Sequence, residues 1–117
     1  MIQGSWKDAI IDIDVDADLT AEIDLGRPYE TLLVVCPALA VSATACIEVA
    51  EKSGGTFQDL YTTDPATGNN KKIISIAWTT GVFTWIVPLG GFQFIKVKLS
   101  ENQTGADKTF RVCGVRS

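Results

Sequence analysis

The stretch Ala9-Ile-Ile-Asp-Ile-Asp-Val-Asp-Ala-Asp-Leu-Thr-Ala-Glu-Ile-Asp-Leu25 decides the fold. Every odd position in it is apolar, and every even position except Ile10 is polar. Side chains of an extended strand point to opposite faces in turn, so strict alternation predicts half-buried β-structure. Unbroken, the run would reach about 55 Å at roughly 3.3 Å per residue. A compact domain of this size has a radius of gyration of only about 13–14 Å. The run must therefore turn a corner or split in two, with Asp16 to Asp18 the expected place.

The same cadence recurs down the chain. Thr31 to Cys36 is apolar on both faces, which predicts a central strand covered by the core on one side and by a second layer or a neighbouring subunit on the other. Ala43 to Ala50 and Phe92 to Leu99 alternate, and Thr109 to Cys113 reads as the last strand, followed by a short tail. Ile73–Trp78 and Val82–Val87 flank Thr79-Thr80-Gly81, a spacing that predicts a hairpin. Thr62 to Asn70 reads as an exposed polar loop. No stretch has useful helical periodicity. The reading is an all-β domain over residues 1–117, a β-sandwich of jelly-roll kind with eight or nine short antiparallel strands. Residues 1–7 read as an N-terminal arm.

Composition narrows function by exclusion. The 117-residue chain has a net charge of −4, a sequence pI near 4.6 and no histidine. Residues 1–64 carry twelve acidic and three basic side chains, whereas residues 65–117 carry two acidic and seven basic ones. Such asymmetry fits cross-strand charge pairs within the sheets, or a surface that meets a copy of itself or a charged partner. Scattered basic residues in an acidic chain oppose nucleic-acid binding. No apolar run approaches the about 20 residues that span a bilayer. Without histidine the commonest general base and metal ligand are missing, and no Gly-x-Ser-x-Gly elbow occurs. A calcium loop starting at Asp12 or Asp14 would lack the required glycine and glutamate. Cys36, Cys46 and Cys113 have no zinc or disulfide spacing and read as reduced, small apolar residues. No enzymatic activity, metal or cofactor is expected.

Glu22-Ile-Asp-Leu-Gly-Arg-Pro-Tyr29, Val49-Ala-Glu-Lys-Ser-Gly-Gly-Thr-Phe57, Gly90-Gly-Phe-Gln-Phe-Ile95 and Thr109-Phe-Arg-Val112 carry a resemblance. From about Leu19 onward the chain resembles small β-rich virion structural proteins of tailed bacteriophages, of the capsid decoration or cement type. The resemblance implies a structural protein of the virion, assembled in the host cytoplasm, that contacts other virion proteins such as the major capsid protein. It brings no catalytic residues. The other reading is a carbohydrate- or receptor-binding module of a phage fibre or tail, with Trp78 or Trp85 as an aromatic platform.

The patterning assigns Ile11, Ile13, Val15, Leu33, Val35, Ile47, Val49, Ile86, Ile95, Val97 and Val112 to the core. Trp6, Leu32, Val34, Phe92, Phe94, Lys96 and Lys98 are the interface candidates for a homo-oligomer, a trimer first and a dimer next. Asp12, Asp14, Asp16 and Asp18 form an acidic face that could meet Lys96, Lys98 or Arg111 of a neighbour. The arm through Trp6 is expected to cross between subunits.

Overall fold

The structure is a computed structural model, and residues 2–116 are described. Eleven strands follow in order: β1 (Ile2–Gln3), β2 (Lys7–Ile11), β3 (Ile23–Asp24), β4 (Thr31–Cys36), β5 (Ala45–Ala50), β6 (Gln58–Asp59), β7 (Tyr61–Thr63), β8 (Asn70–Lys72), β9 (Phe83–Pro88), β10 (Phe94–Leu99) and β11 (Lys108–Arg116). There is no helix among the described residues, hence none long and apolar enough to cross a membrane.

A front sheet has the order β1-β11-β4-β9, with β2 beside β1 on the same edge of β11. A back sheet has the order β3-β10-β5-β6. All pairings are antiparallel. The chain crosses from one sheet to the other between β2 and β3, β3 and β4, β4 and β5, residues 73–78 and β9, β9 and β10, and β10 and β11. One core joins them: Ala9, Ile11, Leu32, Val34, Phe110 and Val112 from the front meet Ala45, Ile47, Val49, Ile95, Val97 and Leu99 from the back. The Cα radius of gyration, 13.7 Å, matches the size expected from chain length.

The long alternating run turns earlier than expected. β2 ends at Ile11, and Asp12 starts the turn: its side chain accepts from the Asp14 N–H at 3.0 Å, and its carbonyl accepts from Val15 and Asp16. An aspartate side chain that binds the backbone two residues on offers a turn in competition with a strand. The chain rejoins a ladder at Leu19 opposite Lys98, then at β3. Val15, assigned to the core, therefore projects from the turn at 82% exposure, and Ile13 is half-buried.

β4 has the opposite phase from the one expected. Leu32, Val34 and Cys36 face the core, while Leu33 and Val35 lie on the outer face. Ile86, paired with Leu33 on β9, is also outside, at 68% exposure. A strand apolar on both sides carries no phase of its own. Pairing of Val34 with the buried Val112 of β11 supplies it. Ile11, Ile47, Val49, Ile95, Val97 and Val112 are buried as expected.

The expected hairpin across Thr79–Gly81 does not form. Residues 73–78 run along the back sheet, with Ile74 bridging Cys46 and Trp78 bridging Ala43, while β9 pairs with β4 in the front sheet. Two apolar runs with a short connection fit a hairpin or a sheet-to-sheet crossing equally well, and the free edges of β4 and β5 claimed one run each. The polar stretch from Thr62 closes into the β7–β8 hairpin, and the last strand runs on to Arg116.

The N-terminal segment is not a free arm. β1 and β2 both pair with β11 of the same chain. Three residues (Gly4, Ser5 and Trp6) lie between Gln3 and Lys7, opposite two (Cys113 and Gly114) between their β11 partners. This is a bulge. Beside it the buried Tyr29 side chain packs close to Gly4 and Gly114, where a Cβ at Gly114 would overlap the ring.

Candidate functional site

The outer faces of the two sheets hold most of the residues singled out from the sequence. On the back sheet, Phe94, Lys96 and Lys98 alternate with the buried Ile95, Val97 and Leu99. Cross-strand register sets Lys96 opposite Glu48, and Glu48 opposite Asp59. Lys98 Nζ is 4.0 Å from Glu48, and Lys72 Nζ is 3.1 Å from Asp59, whose hydrogen bond with the ammonium holds the Lys72 pKa above its ordinary value. The Lys96 ammonium stands 4.6 Å over the Phe57 ring. The expected lysines are thus engaged by groups of their own chain. Phe92 packs against the core and borders a polar depression of about 380 Å3 with Glu51, Lys52 and Asp59. Phe94 is half-buried between Ala50 and Asp24 on the neighbouring strands.

Carboxylates around this face are tied down as well. Glu22 accepts from the Gly54 N–H and the Ser53 hydroxyl, both at 2.7 Å, and these bonds hold its pKa below the ordinary value. Asp24 accepts from the Gln93 amide at 2.9 Å and the Gly26 N–H at 2.8 Å, with the same effect. The four aspartates expected as an acidic face lie instead in and after the turn that follows β2. A hydrogen bond with Asp16 raises the Asp18 pKa.

The front sheet is different. Leu33, Val35 and Ile86 adjoin on its outer face, with Thr84 opposite Val35. At the far side the bulge sets Trp6 so that the Arg111 guanidinium stands 6.0 Å over its ring, and Arg111 forms a 3.0 Å ion pair with Asp8. Trp6, Val35 and Arg111 border one shallow depression. Of the interface candidates Trp6 lies here, whereas Leu32 and Val34 belong to this chain's own core. Leu33, Val35 and Ile86 were missed as surface residues because alternation alone cannot tell an outward apolar row from an inward one.

Trp78 is no open platform. It is 7% exposed, donates from Nε1 to the Pro37 carbonyl at 2.7 Å, and meets Phe83 and Phe110 edge-on. Trp85 packs part-buried against the core. All three cysteines are free and buried, and burial alone pushes the Cys36 thiol up to about 12. Gln103, unremarked in the sequence, is a buried clamp: its side chain accepts from Ala40 and Val41 N–H and donates to Val41 and Glu101 carbonyls.

No family model and no curated protein matches the sequence. Among solved structures, the chain is similar to the crystal structure of the SPBc2 prophage-derived protein YomS. The two share 12% identity and a TM-score of 0.55, over 97% of this chain and 95% of that one. At that identity the likeness establishes a shared all-β fold along nearly the whole chain.

Proposed function

We propose that this chain is a structural protein of a bacteriophage virion that attaches to other virion proteins through the outer face of its front sheet, as a capsid decoration or cement protein does. The observation that carries the reading is the outward apolar row of Leu33, Val35 and Ile86, beside Trp6 and a single ion pair. Contiguous apolar surface rimmed by polar groups is the usual mark of a protein-binding face. The fold likeness to a prophage-derived protein supports the phage setting. The strand order supports a jelly roll, since β2-β11-β4-β9 facing β3-β10-β5-β6 is the interleaving of two four-stranded sheets used by viral capsid and lectin domains.

The test is to quantify the chain by mass spectrometry in purified virions of the phage that encodes it, with the natural sequence and with Val35→Asp. A decoration role gives copies in proportion to the shell, and a connector role gives a single ring. Val35→Asp should leave particles without the protein while its thermal unfolding stays within a few degrees of the natural chain. Absence of the natural chain from particles would sink the role. Glycan binding abolished by Trp6→Ala, in a chain that still folds, would replace it with the adhesin reading.

A further inference from the structure

The free edge of β9 is unlike the others in the molecule. Between Lys72 and Lys96 the chain carries no charged side chain, and β9 lies inside that stretch. The opposite edge of the front sheet is broken by the bulge and carries Lys7 and Asp8. At one edge of the back sheet β3 is two residues long, and at the other β6 is two residues long before residues 73–78 take over. Long, unbroken, uncharged edges are the kind that pair with another strand.

The direction of the backbone groups on β9 follows from its proline. Pro88 lies opposite Thr31 and has no N–H, and the next residue, Leu89, donates to the Glu30 carbonyl at 2.7 Å. In an antiparallel ladder inward and outward backbone groups alternate. Phe83, Trp85 and Val87 therefore bond to β4, while Thr84 and Ile86 aim their N–H and C=O groups away from the sheet. No backbone hydrogen bond among the described residues takes up that outward side of Thr84 or Ile86. Both side chains are exposed.

We infer that a second copy of this chain pairs with this edge, antiparallel, about a two-fold axis through Trp85. The donor and acceptor pattern is symmetric about that residue. Thr84 of each copy meets Ile86 of the other, so both N–H and both C=O groups at each position find partners. Shifting the two-fold to Ile86 would set Thr84 against Pro88, which has no N–H to give. The strand's lack of charge lets two copies of a chain with net charge −4 meet without like charges opposed. The two half-buried Trp85 side chains would face each other across the axis on the core side, covering what each leaves open. The interface is isologous, and it joins two front sheets into one continuous sheet. It does not depend on the role in a virion proposed above.

The register makes the inference testable by cross-linking of the full-length chain. Chains carrying Thr84→Cys, mixed with chains carrying Ile86→Cys, should form disulfide-linked dimers under mild oxidation. Directly opposed Cα atoms in a hydrogen-bonded pair lie about 5.5 Å apart, within disulfide reach. Either variant alone should cross-link far less, because identical positions then sit diagonally, beyond the about 7 Å limit. Sedimentation should show a dimer whose population rises with concentration. Thr84→Lys should weaken it roughly tenfold or more with unchanged unfolding temperature, since an edge lysine blocks strand addition. A monomer at every concentration, no excess of cross-links in the mixture, or preferential cross-linking of Asp8→Cys on the opposite edge would each overturn the inference.

Discussion

The two outer faces of the sandwich are built on opposite terms. On the back sheet Lys96, Lys98, Glu48, Asp59 and Lys72 answer one another across neighbouring strands, and Glu22 and Asp24 are bound by nearby backbone and side-chain donors. On the front sheet Leu33, Val35 and Ile86 find no layer above them. The charged groups of the back face are paired within the chain, with Ile74 a large apolar side chain left exposed beside them. An apolar face gains free energy only when something covers it. The difference is what favours the front sheet as the docking side in the role proposed above, although the lysines and the aromatic pair draw attention first in the sequence.

The largest expected effect comes from disturbing the support beneath the front sheet. Gly114→Ala drives a methyl group into the Tyr29 ring, and crowding of this kind in a packed interior costs about 1–3 kcal/mol. Chemical denaturation should show a loss at the upper end of that range, and a combined Tyr29→Ala change should relieve part of it. If Gly114→Ala is neutral, the ring moves freely and the bulge beside it is not held from below.

A smaller effect separates the faces themselves. Glu48→Ala leaves Lys96 and Lys98 without their carboxylate neighbour and should cost about 0.5–1 kcal/mol, reduced by salt as exposed pairs are. Ile86→Ser on the front sheet should stay within about 0.5 kcal/mol, because an exposed side chain away from special features contributes little to folding. Equal costs, or a larger one for Ile86→Ser, would remove the distinction between a face that stabilises the chain and one that serves a partner.

The smallest effects are in the pH dependence and have opposite signs. The Glu22 pKa is lowered by its bonds to Gly54 and Ser53, so its contribution is present above the unfolded carboxylate value and lost as pH falls through the folded one. Glu22→Gln should therefore lower the unfolding temperature at neutral pH and flatten its fall in acid. The Asp18 pKa is raised by the hydrogen bond with Asp16, so its contribution is present at low pH and lost as pH rises through the folded value. Asp18→Asn should raise the unfolding temperature at neutral pH, with the gap closing on acidification. Parallel shifts of both variants would show that neither carboxylate is held as described.

Period-two patterning by itself determined the all-β class, most strand positions, and the inward rows of β5 and β10, because Ile47 and Val49 flank the charged Glu48, and Ile95, Val97 and Leu99 alternate with the charged Lys96 and Lys98. It also required that the run from Ala9 to Leu25 bend. Tertiary structure decided what a one-dimensional pattern leaves degenerate. The phase of β4 came from pairing with β11, since both of its faces are apolar. Whether residues 73–78 turned back on β9 or crossed between sheets came from which strand edges remained open. The place of the corner came from the Asp12 side chain capturing a backbone N–H, a bond that competes with a ladder only where no neighbouring strand is in register. The sides of a strand are written in its alternation, but which side is inside depends on a partner far away in the chain.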